Sequence, residues 1–129
     1  MSPGNAFLVL NVLIFGGFGL AGLFAPEEML SGAGVIFEAG SSTVDLRATY
    51  GGAILGFTVF LASCVGGTRV RVGLAAVFCL TLGALVGRLY GLSVDQAPGL
   101  MWILAAVEAV WSLLAAWLWL RYPRQIRNQ

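Results

Sequence analysis

The chain has 129 residues, 59% of them hydrophobic and only 10% charged, with a mean hydropathy of +0.91. Soluble domains carry about 25% charged residues, and the net charge of +1 comes from Arg and six acids with neither Lys nor His. That balance excludes the basic stripe of a nucleic-acid binder, the polar make-up of a disordered tail, and every haem ligation, zinc site or catalytic triad that needs His. What remains is an integral membrane protein.

A membrane-crossing helix needs about 20 mainly apolar residues. Four segments meet this, at about residues 5–25, 43–65, 72–92 and 98–120. The expected fold is all-α: a four-transmembrane-helix antiparallel bundle forming one domain over residues 1–129. The first segment has no basic residues before it and no small-x-small cleavage site after it, so it reads as a retained helix. The linker from Pro26 to Ser42 holds Glu27, Glu28 and Glu38 around an apolar stretch, Met29 to Phe37. It leaves room for a short interfacial helix between helices 1 and 2, against which Gly32 and Gly34 weigh.

Orientation follows from Arg placement. Arg69 and Arg71 lie between the second and third spans, and Arg121, Arg124 and Arg127 follow the fourth. The opposite side carries Glu27, Glu28, Glu38, Asp45 and Asp95, with Arg47 its one cation. Both termini are therefore expected on the cytoplasmic side. Trp117 and Trp119 suit the inner aromatic belt and Trp102 the outer one. Cys64 and Cys79 are expected at depths about 12 Å apart by helix rise, too far for a disulfide.

Glycine is abundant, with 18 residues. The run Gly17-Phe18-Gly19-Leu20-Ala21-Gly22 has the letters of a dinucleotide fingerprint, but no strand precedes it, so close helix packing is its reading. Gly52 and Gly56 make a Gly-x-x-x-Gly step, and Gly83, Gly87 and Gly91 a ridge along the third span. Small residues let helix backbones approach in lipid, and these five are the expected packing positions, within one chain or against a partner.

Two charges fall inside spans. Arg88 sits about one turn inside the outer end of the third, and Glu108 about 15 Å into the fourth by helix rise. Side chains lean toward the N-terminus of their own helix, so on antiparallel neighbours these two lean toward each other. An Arg88–Glu108 ion pair is expected, direct or through water. It serves either to fix helix register or, with Arg47, as a ligand site. Asp45 closes a capping box begun at Ser42. Tyr50 shares a face with Arg47 and reads as an interfacial anchor, and Asp95, ahead of Pro98, as a helix-start residue. Asn11 is placed to hydrogen-bond across helices. No nucleophile–base pair, metal cluster or cofactor motif is present in the sequence.

These residues fall in a recognisable order. Gly22-Leu23-Phe24-Ala25-Pro26-Glu27 follows the first span, and Asp45-Leu46-Arg47-Ala48-Thr49-Tyr50-Gly51-Gly52 opens the second. Gly87-Arg88-Leu89 closes the third, and Asp95-x-x-Pro98 and Glu108 follow. The chain thus resembles a bacterial family of small four-helix membrane proteins, domain of unknown function 4345, over nearly its whole length. The family often has Glu at Asp45 and Gly at Gln96. The resemblance implies a topology and shared polar positions, and no activity. Three functions stay open. One is a non-catalytic accessory or scaffold subunit, with membrane lipids and other integral membrane subunits or a second copy as partners. Another is a small transporter or binder of a lipid or hydrophobic amphiphile through an outer Arg47, Arg88 and Glu108 cluster. The third is an intramembrane enzyme using Glu108 and Tyr50.

Overall fold

A computed structural model describes residues 1–31, 41–95 and 99–123. Glu38, Gln96, Pro98, Arg124, Arg127 and most of the expected interfacial helix lie outside the described residues. All regular structure among the described residues is helical: α1 (Pro3–Phe24), α2 (Pro26–Ser31), α3 (Ser41–Leu46), a π-helical segment (Arg47–Ala53), α4 (Ile54–Cys64), α5 (Val70–Val94) and α6 (Gly99–Arg121). Four stretches are long and apolar enough to cross a membrane: Pro3–Phe24, Thr43–Cys64, Val70–Val94 and Gly99–Arg121. Their ends fall within about two residues of the expected spans, the usual uncertainty of a helix end. The chain is a small multi-pass membrane protein.

The helices group into two compact units. One holds Met1–Gly4 with Gly66–Gln129, the other Asn5–Val65. In the first, the turn that leads into α5 holds Gly66 at φ +75°, a left-handed conformation that glycine adopts without steric cost. Part of the contact face between α5 and α6 is an apolar stripe. Val70, Leu74 and Val77 of α5 and Ala105, Ala115 and Leu118 of α6 are buried, a spacing of three and four that keeps one stripe facing the neighbour. Phe78 stacks on Trp119 with centroids 5.9 Å apart. Cys64 is buried and Cys79 exposed, and both are free thiols.

In the second unit, α1 and the second span approach until their backbones touch. A Cβ built on Gly22 would come within 2.5 Å of the Tyr50 carbonyl, and one on Gly51 within 2.8 Å of the Leu23 backbone. Gly19 faces Leu55 at 2.8 Å. Phe15 meets Phe57 edge-on at 5.4 Å. The nucleotide-like glycine run therefore does packing work.

The glycines expected to pack behave differently. Among the described residues, nothing lies within 4 Å of a Cβ on Gly56, Gly83 or Gly87, while Gly52 and Gly91 meet an Arg47 carbonyl and an Asp95 carboxylate oxygen, each at 3.8 Å. The close approach falls on Gly19, Gly22 and Gly51 because spacing along one helix does not say which face the neighbour takes. Gly22→Ala and Gly51→Ala are expected to destabilise the chain by about 1–3 kcal/mol through overpacking, and Gly87→Ala to change stability by less than about 0.5 kcal/mol. Thermal unfolding of the three variants in the same detergent checks this.

Candidate functional site

Two polar constellations stand out, one in each unit. The first joins α5 to α6. Arg88 Nε donates to Glu108 Oε2 at 2.8 Å and Nη2 to Glu108 Oε1 at 2.6 Å. This is the two-pronged geometry that suits a planar guanidinium and a carboxylate. Arg88 and Glu108 side chains are 27% and 20% exposed, so the pair is partly buried and still open on one side. Arg88 Nη1 donates to the Met101 thioether at 3.4 Å, a weak acceptor.

Below that pair the same seam stays polar. Seven residues before Arg88, Thr81 donates its hydroxyl to the Val77 carbonyl at 2.9 Å, and Ser112, four residues after Glu108, donates to Thr81 Oγ1 at 2.9 Å. Both side chains are buried. At the far end Arg71 Nη1 donates to the Tyr122 carbonyl at 3.1 Å and its guanidinium lies 5.7 Å from the Trp119 ring centre. The Thr81–Ser112 contact and the role of Arg71 went unread in the sequence. The signal was there: polar residues one heptad from Arg88 and one turn from Glu108 fall on the faces that the ion pair turns inward.

The second constellation closes the top of the other unit. Arg47 opens the π-helical segment, and its Nη1 donates to the carbonyl of Leu23 in the last turn of α1. A helix leaves its last four carbonyls without intrahelical partners and carries partial negative charge there, so an arginine is a natural partner. Thr43 Oγ1 donates to Glu27 Oε1 at 3.0 Å. The π-helix covers Arg47 through Ala53, the whole of the Arg-Ala-Thr-Tyr-Gly-Gly run and one residue more. π-helical turns are rare and concentrate at functional positions. Here the turn accompanies the close passage of Gly51 over Leu23.

The remaining expected site residues are placed as follows. Asp45 is exposed, and α3 begins at Ser41, so Ser42 lies inside the helix and not at its cap. Tyr50 is exposed, with its backbone against Gly22. Asp95 caps the C-terminus of α5 in extended conformation, its backbone N–H donating to the Gly91 carbonyl. It therefore ends the third span, and α6 begins four residues later at Gly99. The buried Asn11 donates to the Phe7 carbonyl one turn back in its own helix. Arg47 lies in the second unit, where Leu23 takes its guanidinium, and Arg88 and Glu108 meet in the first. Among the described residues, no group of three or more His, Cys, Asp or Glu is arranged to hold a metal ion.

Four apolar helices with an ion pair between the third and fourth spans define a class: a small multi-pass membrane protein with an internal charge pair. The family model for Domain of unknown function (DUF4345) matches residues 4–119, and the chain belongs to that family. No curated protein and no solved structure gives a significant match.

Leaving a partly buried charge without its partner costs about 1–3 kcal/mol. Glu108→Gln is expected to destabilise the chain by about that amount, and the double variant Arg88→Met, Glu108→Leu to recover most of the loss, because an apolar pair strands no charge. Thermal unfolding in nanodiscs measures both. Equal stability of wild type and Glu108→Gln would refute a structural contribution from the pair.

Proposed function

We propose that this protein is a non-catalytic accessory or scaffold subunit of a larger membrane assembly. The supporting observation is the glycine ridge on α5. Gly83 and Gly87 are exposed, and nothing among the described residues lies within 4 Å of a Cβ on either. Lipid gives no hydrophobic reason for helices to associate, so close backbone approach over small residues is a principal driving contact. On α1 and the second span, Gly19, Gly22 and Gly51 are consumed by intrachain packing. On α5 they are left free for another helix, from a different integral membrane subunit or a second copy. The Arg distribution supports a bacterial inner-membrane location with both termini in the cytoplasm.

Gly83→Leu with Gly87→Leu fills the ridge at two positions where no described residue lies within 4 Å of the Cβ. Extraction in mild detergent followed by mass spectrometry is expected to recover the wild type with a stoichiometric membrane partner, and a clean homodimer would count against the role. The filled variant is expected to run as a monomer at unchanged melting temperature. A wild type that is monomeric and partner-free, or association that survives filling, would overturn the role.

A further inference from the structure

We propose that the cleft between the last turns of α5 and the first turn of α6 holds a zwitterionic lipid head group. Its ligand would carry an ammonium and a phosphate together, as phosphatidylethanolamine does. The proposal does not rest on the packing role above: it concerns a different occupant at the C-terminal end of α5, where Gly91 continues the Gly83 and Gly87 ridge.

The cleft has a volume of about 230 Å³ and is lined by Arg88, Gly91, Leu92, Asp95 and Met101. Drug-sized ligands fill roughly 300–1,000 Å³, so this space suits a head group and not a whole amphiphile. Its position is right for one. Asp95 stands at the end of α5, and Arg88 lies seven residues back, about 10 Å deeper by helix rise. The cleft thus spans the level where polar head groups meet acyl chains. In a phospholipid of this kind the phosphate lies nearer the chains and the amine farther out. That is the order of Arg88 and Asp95.

Charge decides the class of ligand. Glu108 takes two N–H groups of Arg88 and cancels its charge, so an arginine alone no longer makes this an anion site. Asp95 adds an exposed carboxylate at the rim. A purely anionic lipid would set a second negative charge beside Asp95. A plain cation would leave Arg88 Nη1 with only a thioether acceptor. A zwitterion satisfies both, since its phosphate oxygen replaces the sulfur as a charge-assisted acceptor and its ammonium meets Asp95. Gly91 leaves bare backbone between the two groups, with the Asp95 carboxylate oxygen 3.8 Å from where a Cβ would stand.

Native mass spectrometry of the full chain, loaded with equimolar phosphatidylethanolamine and phosphatidylglycerol of identical acyl chains, tests the assignment. The wild type is expected to retain phosphatidylethanolamine about fivefold better, the equivalent of one exposed ion pair. Asp95→Asn should abolish that preference without changing the melting temperature, because the helix cap uses only the Asp95 backbone. Gly91→Leu, which fills the floor, should reduce retention of both lipids. Equal retention of the two lipids by the wild type, no retention of either, or a preference that survives Asp95→Asn would each overturn the proposal. So would Asp95-dependent binding of soluble O-phosphoethanolamine without lipid retention, which would make the free molecule the ligand.

Discussion

Inside a bilayer no water is available to satisfy a backbone carbonyl or a charge, so each must find its partner in the protein. That constraint explains where the arginines of the spans go. Arg88 meets a carboxylate on the facing helix, and Arg47 meets a carbonyl that the end of α1 leaves without a helical partner. The hydroxyls obey it too, as Ser112 donates to Thr81 and Thr81 to the backbone carbonyl of Val77. No buried side-chain nitrogen or oxygen among the described residues lacks a hydrogen-bond partner.

The two units meet the constraint by different means. In α5 and α6 the contact is built from side chains: an ion pair, a hydroxyl pair, and aromatic and cation–π contacts in succession along one seam. Between α1 and the second span it is built from backbone, with Gly22 and Gly51 admitting the opposite main chain and Arg47 capping the helix end. A side-chain seam leaves space where small residues lie at its end, and the Arg88 cleft opens there over Gly91.

The partners of a charge decide what it can bind. The sequence groups Arg47, Arg88 and Glu108 as one outer-side cluster for a lipid or amphiphile. The bidentate Glu108 contact neutralises Arg88, Arg47 is engaged by Leu23, and Asp95 enters the cleft as a carboxylate. Net charge at a site depends on which groups point into it, and linear position carries that information only for neighbours on one helix.

The sequence by itself determined the solvent, the number and limits of the spans, and the family, because hydropathy over some 20 residues and the order of motif residues are properties of the linear chain. It also anticipated the Arg88–Glu108 contact, since two isolated intramembrane charges of opposite sign on consecutive antiparallel helices have few alternatives to each other. Only the tertiary structure decided which glycines pack. Gly22 and Gly51 are contact points within the chain, while a Cβ on Gly56, Gly83 or Gly87 meets nothing among the described residues, because packing depends on the azimuth at which each helix turns toward its neighbour. The π-helical turn at Arg47–Ala53, the move of Asp95 from helix start to helix end, and the Thr81–Ser112 bond share that origin. Each depends on a partner distant in sequence or on a local change in helical pitch, and neither is encoded in periodicity along a single helix.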